Sequence, residues 1–252
     1  MPRYRMIIEY DGRSFSGWQR QERVLSAQGA IEDAILKFSG ETTRVFGGGR
    51  TDAGVHALGQ VAHADIRKQF SSCIVRDAIN SYLRPLPISI LEVKKAGEEF
   101  HARFSAVERS YLYRIRNRRS PLTFERGLIW WVPSFLDVDA MGEAALALIG
   151  HHDFSTFRSS KCQAKTPKKT LNTLTVQARE NGLIEVKLTA KSFLYRQVRN
   201  IVGTLRLVGQ GKWSRLRLEK ALAARDRKAG GPTAPPDGLY LTGIRYDKEF
   251  SS

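Results

Sequence analysis

Asn172-Thr-Leu-Thr-Val-Gln-Ala-Arg-Glu-Asn-Gly-Leu-Ile-Glu-Val-Lys-Leu-Thr-Ala190 decides the fold class. Two strand-like runs, Asn172 to Ala178 and Leu183 to Ala190, flank Glu180-Asn-Gly182. An Asn-Gly step accepts the left-handed backbone of a tight turn, so the stretch reads as an antiparallel hairpin. A long helix follows, with Leu194, Val198, Ile201, Leu205 and Val208 along one stripe. A further helix over about Ser214 to Ala224 and a closing strand over Leu239 to Tyr246 complete this half, and a short helix over Ala140 to Ile149 precedes the hairpin.

Working back toward the N-terminus, the same grammar recurs. Tyr4, Met6, Ile8 and Tyr10 alternate as in a strand that ends at Asp11-Gly12. A helix is expected from Ser26, with Ile31, Ala34, Ile35 and Phe38 at helical spacing and Ser39-Gly40 as its stop. Strands over Leu58 to Ile66 and Ile88 to Lys94 enclose a helix over Cys73 to Tyr82, and Arg109 to Arg116 is another strand. Each half mixes strands with about two helices. That implies an α+β protein of two related subdomains, divided somewhere in residues 95 to 150.

The 252 residues include 41 Lys plus Arg against 25 Asp plus Glu, a net charge of +16. A polyanionic partner is the first expectation. Hydrophobic residues at 42% and the absence of low-complexity stretches exclude a disordered chain. Cys73 and Cys162 are too few and too far apart for a disulfide framework or a zinc site. Met1-Pro-Arg-Tyr-Arg runs into a strand without an apolar signal region, and Leu128 to Leu136 is too short to span a bilayer. A cytoplasmic protein without a membrane segment is expected.

The sharpest local feature is Phe46-Gly-Gly-Gly-Arg-Thr-Asp-Ala-Gly-Val-His56. It lacks the Gly-Lys-Ser/Thr of a phosphate-binding loop and the third Gly of a dinucleotide fingerprint. In an extended loop Arg50 and Asp52 project to the same side, where the guanidinium would keep the carboxylate ionised for work as a nucleophile or base. The alternative is a turn held by a surface ion pair. A second feature, Arg109-Ser-Tyr-Leu-Tyr113, interleaves aromatics with basic residues as a base-stacking surface does, although Tyr113 is better explained as packing. On the long helix, Arg196, Arg199 and Arg206 fall roughly on one side and could form an RNA-binding wall or a solvated face. The five histidines have no metal-ligand spacing; His101, within Phe100-His-Ala-Arg-Phe104, reads as packing.

Together these segments carry a resemblance. Gly49-Arg-Thr-Asp-Ala-Gly-Val-His-Ala57 is similar to the signature of the tRNA pseudouridine synthase A family. Tyr10-Asp-Gly, Gly17-Trp-Gln19, Phe100-His-Ala-Arg-Phe-Ser105, Tyr111-x-Tyr113, Val198-Arg-Asn-Ile-Val-Gly203 and Gly238-Leu-Tyr-Leu241 resemble it too, in order along the chain. The resemblance implies two ferredoxin-like subdomains, residues 1–105 and 106–252, joined into one mainly antiparallel sheet with helices on one side and a central active-site cleft. It implies isomerisation of uridine to pseudouridine at positions 38, 39 and 40 of the anticodon stem-loop, with no metal or organic cofactor. A homodimer with tRNA as partner is also implied. By motif, Asp52 is catalytic, Tyr111 contacts the target base, Arg199 pairs with the catalytic carboxylate, Arg50 helps open the stack and Leu239 lies near the base pocket. Tyr195 and Arg196 stand where histidines are expected in some members, and Ser159 to Thr170 is a Lys-rich loop whose RNA contact is open.

A base must leave its stack before its glycosidic bond can be remade, at a cost of about a few kcal/mol. An aromatic such as Tyr111 meets part of that by stacking. A single essential carboxylate argues against glycoside hydrolysis, which generally uses two. The alternative reading is a non-catalytic RNA-binding or chaperone protein, which charge and aromatics alone would permit.

Overall fold

The structure is a computed structural model and describes residues 1–247. Its strands are β1 (Arg3–Tyr10), β2 (Phe46–Gly47), β3 (His56–Asp65), β4 (Ile88–Ala96), β5 (Ala106–Asn117), β6 (Trp130–Val132), β7 (Gly150–Asp153), β8 (Lys168–Ala178), β9 (Leu183–Ala190) and β10 (Leu239–Tyr246). Its α-helices are α1 (Ala27–Ser39), α2 (Ser72–Leu83), α3 (Val138–Ala145), α4 (Gln197–Gly209) and α5 (Arg215–Ala224). The fold is α+β, as expected, and it contains two compact units.

The first unit is Met1–Arg109 together with the chain from Tyr240. Its sheet order is β4-β1-β3-β10. β1 is antiparallel to both β3 and β4. β2 pairs antiparallel with β3 at His63 and Ala62, and β10 pairs parallel with it at His56 and Ala57. The two therefore share one edge of β3, one at each end. The series β1-α1-β2-β3-α2-β4 with this order is the ferredoxin-like arrangement, its second strand cut to two residues. Period-two alternation sends Tyr4, Met6 and Ile8 into the core, where Ile31 and Ile35 of α1 and Val75 and Ile79 of α2 meet them, all fully buried. At the start of α1, Ser26 Oγ accepts the Gly29 N–H at 3.2 Å, and Gly40 ends the helix at φ 74°. Such an N-cap contributes about 1 kcal/mol.

The second unit is Ser110–Leu239. Its strands run in the order β5-β9-β8-β7, with β8 antiparallel to β7 and β9, and β6 parallel to β5. The series β5-α3-β8-β9-α4 repeats the alternation of the first unit. The hairpin closes as its Asn-Gly step demands: Asn181 and Gly182 take φ of 56° and 68°, and the Arg179 N–H donates to the Leu183 carbonyl at 2.7 Å. Tyr113, Ile115, Val186, Leu188, Ile201 and Leu205 form the core with Met141 of α3.

Two details differ from the sequence reading. A division at residues 105 and 106 is replaced by a discontinuous one, because β10 is held by the first unit: its Tyr240 ring stacks on His56 at 4.6 Å, and Tyr246 donates a hydrogen bond to the Ala102 carbonyl at 2.7 Å. Strands β6 and β7 are too short, three and four residues, to show a period.

Candidate active site

The Asp52 loop is shaped by segments far from it in sequence, all within the first unit. Gly49 is fixed on both sides by the fully buried Gln60, whose Oε1 accepts the Gly49 N–H at 3.1 Å and whose Nε2 donates to the Gly49 carbonyl at 2.6 Å. Thr51 is buried, and its hydroxyl lies 2.8 Å from the Tyr10 hydroxyl. Burial pushes the Tyr10 phenol up to about 12, so it stays neutral and remains a hydrogen-bond partner. The Trp18 N–H donates to the Thr51 carbonyl at 3.1 Å, and the Val55 N–H closes the turn on the Asp52 carbonyl at 3.2 Å.

These contacts account for two of the outlying motifs. Gly12 of Tyr10-Asp-Gly lies so close to Val55 that a Cβ there would overlap the Val55 carbonyl. Gly17 of Gly-Trp-Gln sits at φ 100°, and a Cβ on it would stand 2.7 Å from the Thr51 oxygen. Only glycine permits both approaches. The motifs are thus the backing of the loop. With Thr51 turned inward, its neighbours face out: Arg50 is exposed and Asp52 half-buried. The charges that Arg50 feels differ from expectation. Partial desolvation, then the guanidiniums of Arg103 and Arg44, hold its pKa below the ordinary arginine value.

Tyr111, Arg199 and Leu239 belong to the second unit. Tyr111 on β5 is half-buried and meets the Phe193 ring edge-to-face at 5.1 Å, while Tyr113, two residues on, is fully buried. Tyr113 donates to the Pro235 carbonyl at 2.8 Å, and its phenol is raised well above its usual range by burial. It is a packing residue, as expected. Arg199 on α4 is tied in both directions to one residue: its Nε donates to the Ala234 carbonyl at 2.8 Å, and the Ala234 N–H donates to the Arg199 carbonyl at 3.0 Å. Leu239 is buried at the start of β10.

Of the three arginines, Arg199 and Arg206 lie within α4 and Arg196 precedes it. Arg196 is the residue before α4, at φ 62°, with its guanidinium 5.1 Å over the Tyr195 ring. Arg206 lies 5.4 Å over Trp130, whereas Arg199 turns to Ala234. A left-handed residue at the N-cap takes Arg196 out of the helical register on which the offset argument rested.

Sequence reasoning missed Gln60, and it placed Thr51 and Arg109 in motifs without seeing that both are buried. Gln60 lies in a strand that also carries His56, His63 and Asp65, and nothing in spacing pointed to it. Arg109 is buried, and its Nη2 donates to the carbonyls of Gly48 at 2.8 Å and Arg103 at 2.6 Å. On the sequence it stands among the basic residues of the aromatic strand Arg109-Ser-Tyr-Leu-Tyr113, whereas in the structure it is buried beneath the glycine loop. Among the described residues no group of three His, Cys, Asp or Glu side chains could hold a metal ion, and no helix is long and apolar enough to cross a membrane.

The family model described as tRNA pseudouridine synthase matches residues 6–105 and 144–247. Over 246 residues the chain is 55% identical to tRNA pseudouridine synthase A of Paramagnetospirillum magneticum, covering 98% of this chain and 96% of that protein. It is 54% identical over 247 residues to tRNA pseudouridine synthase A of Parvibaculum lavamentivorans, covering 98% and 100%. A chain from the crystal structure of a Cbf5-Nop10-Gar1 complex superposes on 98% of this chain and 50% of its own length, with a TM-score of 0.40 at 10% identity.

Proposed function

The chain belongs to the tRNA pseudouridine synthase family, and we propose that it isomerises uridine to pseudouridine at positions 38, 39 and 40 of the tRNA anticodon stem-loop, with Asp52 as the catalytic carboxylate. The observation that carries this is the Arg50-Thr-Asp52 segment, held rigidly by Trp18, Tyr10 and Gln60 while its carboxylate stays half-exposed. A reacting group placed by a fixed backbone needs no reorganisation when the substrate arrives.

In the reaction the N1–C1′ bond of uridine breaks, C1′ bonds to C5, the C5 proton leaves and N1 takes one up. The products have the atoms of the reactants, so no oxidant, reductant or co-substrate is needed. Asp52 serves this exchange as nucleophile or base. Tyr111, braced by Phe193, stacks on the extruded base. Arg199 supplies positive charge to the reaction, Leu239 contributes to the base pocket and Arg50 helps open the stack. The reading includes a homodimer acting in the cytoplasm. The +16 charge suits an enzyme that grips folded RNA by shape and backbone.

Tritium release from tRNA carrying 5-tritiated uridine tests the proposal, because release accompanies only loss of the C5 hydrogen. Wild type releases tritium; Asp52→Asn releases none yet binds tRNA within about twofold of wild type. No release by a wild-type protein that binds tRNA would leave an RNA-binding protein without this chemistry.

A further inference from the structure

The sequence reads His101, within Phe100-His-Ala-Arg-Phe104, as packing, and part of that segment is buried. Phe100 is buried, at 1% exposure. Phe104, four residues on, is 76% exposed. Its ring nevertheless has a defined neighbour, His101, at 4.4 Å and 36°. His101 meets His63 edge-on at 4.7 Å and Phe46 at 5.4 Å, and Phe46 stacks on His63 at 5.1 Å and 15°. Four rings thus run continuously from the interior of β3 to an open aromatic face. Both histidines use Nδ1 as an acceptor: His63 from the Ala102 N–H at 3.1 Å, His101 from the Arg103 N–H at 3.1 Å. Burial pushes His63 down to about 4 and His101 in the same direction. The array is therefore uncharged at neutral pH, and its rigidity comes from stacking and backbone hydrogen bonds.

Around it the charge has one sign. Arg44 lies 5.2 Å over Phe46 and Arg103 lies 5.9 Å over Phe104. Arg50 is close enough to both for each to lower its pKa. Among the described residues, none of these three guanidiniums forms a salt bridge. Arg103 and Arg44 disfavour the charge on Arg50, and a nearby anion would offset that repulsion. Buried Arg109 prevents the patch from relaxing, since its bonds to the Gly48 and Arg103 carbonyls lock the turn to the glycine loop that carries Arg50 and Asp52.

We propose that Phe104, with Arg44 and Arg103, is a subsite for a second nucleotide of the RNA, its unpaired base stacked on the exposed ring and its phosphates on the guanidiniums. The inference rests on the reading of the chain as an RNA-modifying enzyme and adds to it a contact outside the reacting uridine. A solvent-facing aromatic set against a neighbouring ring and a guanidinium offers an open face on which a base can stack. Arginine suits the margin, because it pairs with phosphate and also lies flat on rings.

The test uses the full chain and an unmodified tRNA transcript. Dissociation constants at several salt concentrations are measured beside saturating tritium-release rates. Phe104→Ala is expected to weaken binding roughly five- to 150-fold, the range for loss of one base–aromatic stack, with kcat held within about twofold. Phe104→Trp restores affinity and Phe104→Leu does not. The double variant Arg44→Ala/Arg103→Ala lowers the slope of log K against log salt by about 1.4, the value for two phosphate contacts on a single strand. Unchanged affinity in Phe104→Ala, or full affinity in Phe104→Leu, overturns the stacking role. An unchanged salt slope in the double variant overturns the phosphate role. If Phe104→Ala alters the sedimenting species and leaves RNA affinity untouched, the ring serves a protein contact and the inference falls. Should wild type release no tritium, the catalytic reading fails alone, because the binding arms still judge the subsite.

Discussion

Two loops of this chain make an instructive pair. Gly48 to Val55 and Ser159 to Pro167 both lie outside the strands and α-helices, and both carry charge, while Lys168 to Thr170 open β8. The first is anchored from outside: Gln60 grips Gly49, Trp18 and Tyr10 grip Thr51, and two glycines elsewhere in the chain leave it room. The second is anchored at its ends, by the Ser159 N–H to the Tyr195 carbonyl at 3.0 Å and the Phe154 N–H to the Pro167 carbonyl at 3.1 Å, while Lys161, Lys165 and Lys168 stand exposed. The difference follows from what each can do. A carboxylate that meets a reacting atom must be placed to a fraction of an ångström, whereas lysines that attract phosphates act at a distance and tolerate motion.

The contrast can be broken most severely at Gly12. Gly12→Ala drives a methyl into the Val55 carbonyl and must displace the Asp52 turn. Overpacking of this kind costs about 1–3 kcal/mol or more, and misplacement of the carboxylate is expected to cut tritium release about 100-fold; denaturant melts and turnover assays read the two effects. Next comes Gln60→Leu, which strips the Gly49 N–H and carbonyl of their partner. A loss of about 1–3 kcal/mol in urea titration is expected, with activity falling alongside. A Gln60→Leu protein of unchanged stability would mean the loop does not depend on that grip.

A third comparison concerns pH. The folded state holds His63 neutral to about 4, whereas the unfolded chain protonates it near 6.5. The unfolded state binds the extra proton, so this part of the stability is present above pH 6.5 and lost as pH falls toward 4. His63→Phe removes the titrating group, and its melting temperature should lose less than that of wild type over the same interval. Equal losses would place the acid sensitivity elsewhere. The smallest effect belongs to the second loop. Lys161→Ala/Lys165→Ala should change stability by less than about 0.5 kcal/mol and lower the salt slope of tRNA binding by about 1.4 if both lysines meet phosphates of a single strand.

Most of the architecture was legible because it rests on local signals. Ser26 and Gly40 bracket α1 where the sequence put its ends, the Asn181-Gly182 turn closes the hairpin, and β10 spans the residues its pattern marked. The candidate carboxylate stood out for a similar reason: four glycines around one Arg and one Asp are uncommon in an ordinary turn. What stayed hidden depends on neighbours distant in sequence. Nothing near Arg50 says that Arg44 and Arg103 crowd it, and nothing near Phe104 says that its side chain faces water while Phe100 is buried. The helical offsets hold for Arg199 and Arg206, both inside α4, and not for Arg196, which lies outside it at φ 62°.

The pairing of Tyr240 and Leu241 with His56 and Ala57 also governs how the protein comes to be made. A ribosome delivers β3 and the Asp52 loop early, but the strand that seals that end of β3, from Tyr240 opposite His56, emerges 240 − 56 = 184 residues later. Until then the edge beside the nascent loop offers unsatisfied amide groups to any passing strand. Closing so long a loop is entropically slow, so the final framing of the Asp52 region is expected late in folding. Nascent chains cut before Tyr240 lack this closure, which separates the time at which the loop is synthesised from the time at which it is fully framed.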